Sequence, residues 1–418
     1  MDTENNINAN VIRDVEQLPV SQKYVLGLQH ALAMFGATIL VPILTGLHVS
    51  VTLFASGVGT LLFHYITQKK VPAYLGSSFA FIAPLTLVVD KFGIPAAQGG
   101  VIVAGLIYGA VALLVYLIGP RMIRRVFPPI VTGPIIMVIG LNLAPVAIDQ
   151  AGGGVANVIV AASAVVAAGY AAVFCKGFLK IIPVIVGLVV GYVVAMIAGI
   201  VDFSPLMEAP WVGLPEFTAP TINWQAITII APVAIVSMVE HVGDILSIGV
   251  TVGKGNKYLE EPGIHRTLLG DGLATSLAGL FGGPPNTTYG ENTGVLALTK
   301  VYDSKVMRIA AGFAILMALV QKIGGFIETI PEPVIGGISI LLFGMIATIG
   351  VRTLVENDVD LKKQRNLVIS ATILVLGLGG AVLAFWEMEF SGMALAAIVG
   401  IILNLILPED LGEAGEEA

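Results

Sequence analysis

Apolar stretches close to the roughly 20 residues needed to cross a bilayer recur along this chain from Tyr24 to Leu407, with short polar breaks between them. Read against Gly, Pro and charge punctuation, they predict about fourteen segments: 24–44, 49–67, 72–90, 98–118, 128–148, 155–175, 180–200, 224–250, 266–282, 285–300, 306–325, 332–350, 366–386 and 390–407. An even number of spans puts both termini on one side. With the termini inside, 19 of the 21 Lys and Arg residues fall in inner segments and only Lys91 and Lys322 in outer ones, the asymmetry of positive-inside insertion. Missing one span would invert every later loop and destroy that split. The pattern predicts a multi-pass protein of the cytoplasmic membrane, all-α, with the lipid bilayer as its solvent and both termini cytoplasmic.

Composition agrees: 56% of residues are hydrophobic and 12% charged, well below the roughly 25% charged fraction of a soluble domain. The polar residues before Tyr24 contain no succession of basic, apolar and cleavage regions, so no removable signal peptide is expected and insertion rests on the first spanning helix. The lone Cys175 excludes an intramolecular disulfide and leaves no thiol-rich metal site. Part of the net charge of −7 sits between Glu409 and Glu417, a solvated acidic end that implies no nucleic-acid partner. The longest predicted outer loop, Val201 to Asn223, carries Asp202, Glu208 and Glu216 and no Lys or Arg.

The two halves repeat. Gln29-His30 precedes Ser77-Ser78 by a step of 47 from His30 to Ser77, and Glu240-His241 precedes Thr287-Thr288 by 46 from His241 to Thr287. Pro129, Gly133 and Gly140 are matched by Pro333, Gly337 and Gly344, both with steps of 4 and 7. Seven spans is odd, so the second copy enters the membrane from the opposite side: an inverted repeat, a recurrent plan of secondary transporters. Two segments break the helical pattern at equivalent places, Leu75-Gly76-Ser77-Ser78-Phe79 and Pro284 through Asn292. Irregular backbone at membrane depth is tolerated only where protein or a water-filled cavity satisfies it, so these breaks are expected to flank a cavity. The bland reading is that small residues there merely let helices pack closely.

Glu240, Asp244 and Glu291 fall inside predicted spans, where an ionisable group costs at least ~2.5 kcal/mol and marks function by default. Glu240 and Asp244 are four apart and share a helix face. Two carboxylates so close in a low dielectric resist ionising together, which makes a proton site of the pair. The competing reading for each is a structural carboxylate bonded to a neighbouring helix, and for Asp271, in Gly270-Asp271-Gly272, that reading is preferred. His30 and His241 are candidates to donate or relay protons, or to be satisfied by a neighbouring helix; no ligand cluster accompanies them, so no metal site is expected. Phe79, Tyr289 and Ala37 are the apolar candidates to sandwich a flat ring.

Three strings carry a resemblance to a known family: Leu28 to Thr38 (LQHALAMFGAT), Pro72 to Phe81 (PAYLGSSFAF) and Pro285 to Asn292 (PNTTYGEN). With them the chain resembles the nucleobase–ascorbate transporter family over nearly its whole length, and within it the bacterial uracil permeases. The family signature Q/E-N-x-G followed by a hydroxyl residue reads here Glu291-Asn292-Thr293-Gly294 and then Thr299. The resemblance implies fourteen transmembrane helices in two inverted 7-span repeats, with short antiparallel β-strands in the broken spans 3 and 10. It implies a cytoplasmic segment 1–23, a core domain from 24–118 and 224–325, a gate domain from 128–200 and 332–407, and an acidic cytoplasmic tail 408–418. It further implies that the Glu240 carboxylate holds the imide edge of uracil, that the backbone N–H groups of Phe79, Gly290 and Glu291 meet its polar edge, and that Ala37 and Tyr289 line its faces. Two N–H donors and two carbonyl acceptors on uracil are complemented by a carboxylate and free amides.

Glu at position 291 distinguishes uracil permeases from the purine-transporting relatives, which place Gln there, so the resemblance implies proton-coupled uracil uptake by alternating access. Glu240, Asp244, His241, His30 and Ser339 are the residues expected to couple the proton, with the proton gradient as driving force, no cofactor, and a homodimer through the gate domain. Two positions depart from one form of the family: Asp244 stands where a His can occur, and Phe343 where a Tyr hydroxyl can occur. Other readings were a xanthine or urate permease, which Gln at position 291 would favour, and an anion transporter or channel, which would place a fixed positive charge or an uncharged polar site at the breaks. A membrane enzyme using Glu240, Asp244 and His241 lacks an activated nucleophile and any metal or cofactor motif. No Gly-x-x-x-x-Gly-Lys-Ser/Thr motif for ATP occurs.

Overall fold

The computed structural model describes residues 11–385, 388–390 and 392–408, so the acidic tail beyond Pro408 and the first ten residues lie outside the described residues. The helices of seven residues or more run α1 Val20–Thr45, α2 Val49–Ile66, α3 Ile82–Phe92, α4 Ile94–Ile118, α5 Pro129–Asn142, α6 Ala144–Ala151, α7 Val155–Phe174 and α8 Pro183–Ile197 in the first half. In the second they run α9 Trp224–Ile230, α10 Ala234–Thr251, α11 Ile264–Phe281, α12 Gly290–Thr299, α13 Lys305–Leu319, α14 Gln321–Glu328, α15 Glu332–Glu356, α16 Gln364–Leu378 and α17 Gly392–Ile406. Each predicted segment overlaps at least one of these helices, and 72–90, 285–300 and 366–386 also contain strand.

Among the described residues seven helical stretches are long and apolar enough to cross a membrane, and the bent pair α13–α14 makes an eighth. That pair turns through 76° at Val320. The stretch 224–250 breaks at Ala231–Val233, where Pro232 has no N–H to give the helix. The run 366–386 is not helical throughout: α16 ends at Leu378, and a hairpin of β3 (Leu383–Phe385) and β4 (Met388–Phe390) follows. The helix stops at Gly379-Gly380, Gly380 having φ +66°, and the apolar stretch left beyond that pair is short enough to suit strand or helix equally by periodicity.

The helices pack in two groups. α1, α2, α4, α11 and α13 pack on one another, with α9 against α4; α5, α6, α7, α15, α16 and α17 form the other group, with α8 against α7. α5 and α15 meet backbone to backbone at Gly140, where an added Cβ would lie 2.4 Å from the Phe343 carbonyl oxygen. Its repeat partner Gly344 has no atom within 4 Å of such a Cβ, so close packing requires only one of the pair. The groups touch where α10 meets α5 and α17, and where α1 meets α8. Outward faces are apolar: on α7, Val155, Val166 and Phe174 are all exposed, as lipid-facing side chains must be.

Strands β1 (Leu75–Ser77) and β2 (Asn286–Thr288) lie at equivalent places in the two halves and pair antiparallel, Leu75 with Thr288, Gly76 with Thr287 and Ser77 with Asn286. Equivalent strands running in opposite directions are what an inverted repeat produces.

Candidate functional site

Extended backbone at this depth needs partners on both edges. The inner edges pair with each other; the outer edges are met by one threonine each. Thr60 of α2 accepts from Leu75 N–H at 3.0 Å and donates to Leu75 C=O at 3.2 Å. Thr275 of α11 accepts from Asn286 N–H at 3.2 Å and donates to Asn286 C=O at 3.1 Å. A hydroxyl can do both because it is donor and acceptor at once. Asn286 adds an amide bond to Ala274 C=O at 3.2 Å, and Ser56 donates to Leu75 C=O at 2.6 Å.

Each strand then delivers the start of a helix. β1 leads through Ser78 into the turn Phe79–Phe81 and α3, and β2 through Tyr289 into α12. Neither start has a side-chain cap, so first-turn N–H groups at Phe79, Gly290 and Glu291 have no intrahelical carbonyl to meet. Helix starts with free amides favour electron-rich groups. Cross-links fix both starts: Ser78 N–H donates to Pro285 C=O at 2.9 Å, Tyr289 N–H to Tyr74 C=O at 3.0 Å, and the Ser78 and Ser237 hydroxyls lie 3.2 Å apart.

Glu240 and Asp244 project from α10 toward these starts. Asp244 Oδ2 accepts from the Thr288 hydroxyl at 2.8 Å, and its Oδ1 lies 3.9 Å from where a Cβ on Gly290 would stand. The Asp244 carboxylate therefore sits against the first turn of α12. Glu240 Oε2 is closed off from solvent and has no partner among the described residues. Asp244, Asp271 and Glu291 are all within electrostatic reach of it.

His241, one position on, points away from this cluster. It is fully buried, with Nδ1 3.1 Å from Asp271 Oδ2. His30, its repeat partner, is also fully buried; Asn292 Nδ2 lies 3.2 Å from its Nδ1 and donates to its carbonyl oxygen at 3.1 Å. His30 thus meets a neighbouring helix through Asn292, whereas His241 and Asp271 approach closely without an aligned hydrogen bond.

Tyr289 is buried with its hydroxyl engaged, donating to Ser77 C=O at 2.9 Å. Its ring covers Gly76, where an added Cβ would lie 2.4 Å from a ring carbon; only a glycine fits beneath it. Ala37 and Phe79 are buried beside the breaks. Phe79 meets Phe343 of α15 edge to face, ring centroids 6.2 Å apart, so the Phe at position 343 joins the two groups by an aromatic contact. Ser339, one turn earlier on α15, is fully buried, and its hydroxyl has no partner among the described residues. Sequence reasoning missed the Thr60 and Thr275 clamps, the Thr288–Asp244 bond and the Asn292–His30 pairing. Thr60 precedes Leu75 by 15 residues and Thr275 precedes Asn286 by 11, but their helices carry other polar residues too, so the sequence held no clear signal for the clamps.

A model described as the permease family, of xanthine and uracil permease type, matches residues 21–384. The chain belongs to the nucleobase–ascorbate transporter family. It is 47% identical to the uracil permease of Bacillus caldolyticus over 95% of each chain. It is 44% identical to the probable uracil permease of Pasteurella multocida, covering 94% of this chain and 95% of that one. Membership makes it a multi-pass membrane transporter and not an enzyme. Among solved structures, it resembles SLC26A9 with a TM-score of 0.70 at 11% identity, over 94% of this chain and 65% of that one. It also resembles the transmembrane domain of the cyanobacterial bicarbonate transporter BicA, with a TM-score of 0.58 at 16% identity over 95% and 100% of the two chains. These last likenesses establish the fold alone. The two breaks, 72–81 and 284–294, carry Glu291 and no Lys or Arg, and Asp244 bonds Thr288 of the second.

Proposed function

We propose that this chain takes up uracil together with protons by alternating access, with Glu240 as the group that holds both. The observation that carries the reading is the Glu240 carboxylate: an oxygen shut from water and without a partner among the described residues, on a helix whose Ser237 meets Ser78 and whose Asp244 meets Thr288. A buried acceptor of that kind is costly unless a donor arrives, and the imide N–H of a pyrimidine is such a donor. The amides of Phe79, Gly290 and Glu291 take the carbonyl edge, while Ala37, Phe79 and Tyr289 cover the ring faces. Sharing one site between Glu240, Asp244 and Glu291 disfavours three simultaneous charges, so a proton enters with the substrate. His30, His241 and Ser339 support this cluster from behind and from the facing group.

The group built on α1–α4 and α9–α14 acts as the core, and the group α5–α8 with α15–α17 as the gate against which it moves, Phe79 against Phe343 being part of the sliding contact. Both termini lie in the cytoplasm, and two copies associate through the gate. Uracil as substrate follows from the relatives' names and from Glu at position 291.

The test is uptake of radiolabelled uracil into proteoliposomes with and without an inward proton gradient, with xanthine as competitor. Gradient-dependent uracil uptake that xanthine does not inhibit supports the reading. Xanthine uptake without uracil uptake replaces it with a purine permease, and uracil uptake indifferent to the gradient removes the proton.

A further inference from the structure

Away from the broken spans, a cavity of about 490 Å³ opens where the start of α5, the start of α16 and the end of α17 converge. Its walls hold two guanidinium groups, Arg125 and Arg365, and no carboxylate among the described lining residues. Arg365 is partly buried and fixed in place. Its Nε donates to Leu407 C=O at 3.1 Å, and its Nη2 to Asn404 C=O at 2.7 Å and Asn404 Oδ1 at 2.9 Å. These are the carbonyls that the end of α17 leaves open, where the helix presents its negative pole. Nη1 keeps only a long contact of 3.4 Å to Asn366 Oδ1.

The second arginine is tied to the first through Asn404, which is 9% exposed and donates from Nδ2 to Arg125 C=O at 2.7 Å. The Arg125 guanidinium itself is exposed and has no partner among the described residues. Two described carboxylates on the segment before α16 are engaged with their own neighbours: Glu356 takes Arg352 at 2.6 Å, and Asp360 accepts from Lys362 N–H at 2.9 Å. The buried amide thus ties the Arg365 guanidinium to the Arg125 backbone, and both arginines line the same cavity. Planar guanidinium groups match the oxygens of carboxylates and phosphates. The remaining wall is apolar, with Ile130, Leu405 and Ile406.

We propose that this cavity binds a phosphate anion through Arg125 and Arg365, with an anionic phospholipid headgroup as the source that its apolar wall favours. Basic pockets between helix ends on the cytoplasmic side take such headgroups. The site is independent of the uracil reading, since none of its residues touches the broken spans.

The experiment is native mass spectrometry of the delipidated full-length protein. It is offered phosphatidylglycerol, phosphatidylcholine or inorganic phosphate, with Arg125→Ala and a chain ending at Pro408 in parallel. Arg125 makes no side-chain bond among the described residues, so its removal is expected to leave the fold intact. Expected are preferential retention of phosphatidylglycerol over phosphatidylcholine, a loss of about fivefold in Arg125→Ala, and no change on removing residues 409–418. Phosphate binding with the same dependence on Arg125, without phosphatidylglycerol binding, keeps the site and makes its source soluble. Equal retention of the two lipids, retention indifferent to Arg125→Ala, or binding only after the acidic tail is removed would overturn the proposal, the last by assigning the cavity to the chain's own carboxylates.

Discussion

The two broken spans share a backbone and differ in chemistry. Around β1 the helix facing the break carries Gln29, His30 and Ala33; around β2 the equivalent positions are Glu240, His241 and Asp244. Thr60 and Thr275 clamp the two strands with the same pair of bonds, to Leu75 and to Asn286. Duplication therefore accounts for the frame, and divergence of one copy for the carboxylates. The first copy contributes neutral surface and a free helix start, and the second the charge. A symmetric frame with an asymmetric lining offers one oriented site instead of two equivalent ones.

The comparison breaks most readily at Glu240. Replacing it with Gln should lower uracil uptake by about a hundredfold, the loss expected when a buried charge-assisted contact is removed. Gln29→Ala, at the matching position, should change uptake by less than about threefold, within the cost of a neutral hydrogen bond. Equal losses at the two positions would show that both copies bind substrate. Gly76→Ala pushes a methyl into the Tyr289 ring, so thermal unfolding in detergent should show a loss of about 1–3 kcal/mol.

The frame itself is tested by Thr60→Val and Thr275→Val. Each leaves a buried strand N–H unsatisfied, and Thr275→Val also strips Asn286 C=O of its hydroxyl donor, whereas Ser56 still serves Leu75 C=O in Thr60→Val. Each should cost about 1–3 kcal/mol, with Thr275→Val the larger; a larger melting shift for Thr60→Val would contradict this reading of the clamps. The smallest effect belongs outside the membrane, where Lys23 and Lys305 hold the Glu16 carboxyl at about 2, down from 4.5. A depressed carboxyl contributes fully above its unfolded value and loses the contribution as pH falls from about 4.5 toward about 2. Glu16 is exposed, so Glu16→Gln should leave the melting temperature at pH 7 nearly unchanged and flatten the acid side of its pH profile only slightly.

Much of this was legible in the sequence because lipid is a strict solvent. Segments such as 98–118 and 332–350 must be apolar throughout, and they emerge as α4 and α15. The breaks were legible because small, hydroxyl-rich residues interrupt two such segments at matching steps. Glu240, Asp244 and Glu291 stood out because carboxylates there are expensive. What stayed hidden depends on contacts through space. Thr60 and Thr275 look like ordinary helix residues until the strands are placed beside them. Asp244 meeting Thr288, and His30 meeting Asn292 across 262 residues, need the fold first. The hairpin at 383–390 has apolar residues that suit either state, and the bend at Val320 has no proline to announce it.

The most direct test of the account follows protons instead of uracil. Proteoliposomes carrying a pH-sensitive dye inside, with no imposed gradient, receive external uracil, and the internal pH is recorded for the wild type and Glu240→Gln. Internal acidification on adding uracil to the wild type, absent with Glu240→Gln, is the predicted result. Uracil entry without acidification in the wild type, or acidification that survives Glu240→Gln, would contradict the assignment of proton and substrate to one carboxylate.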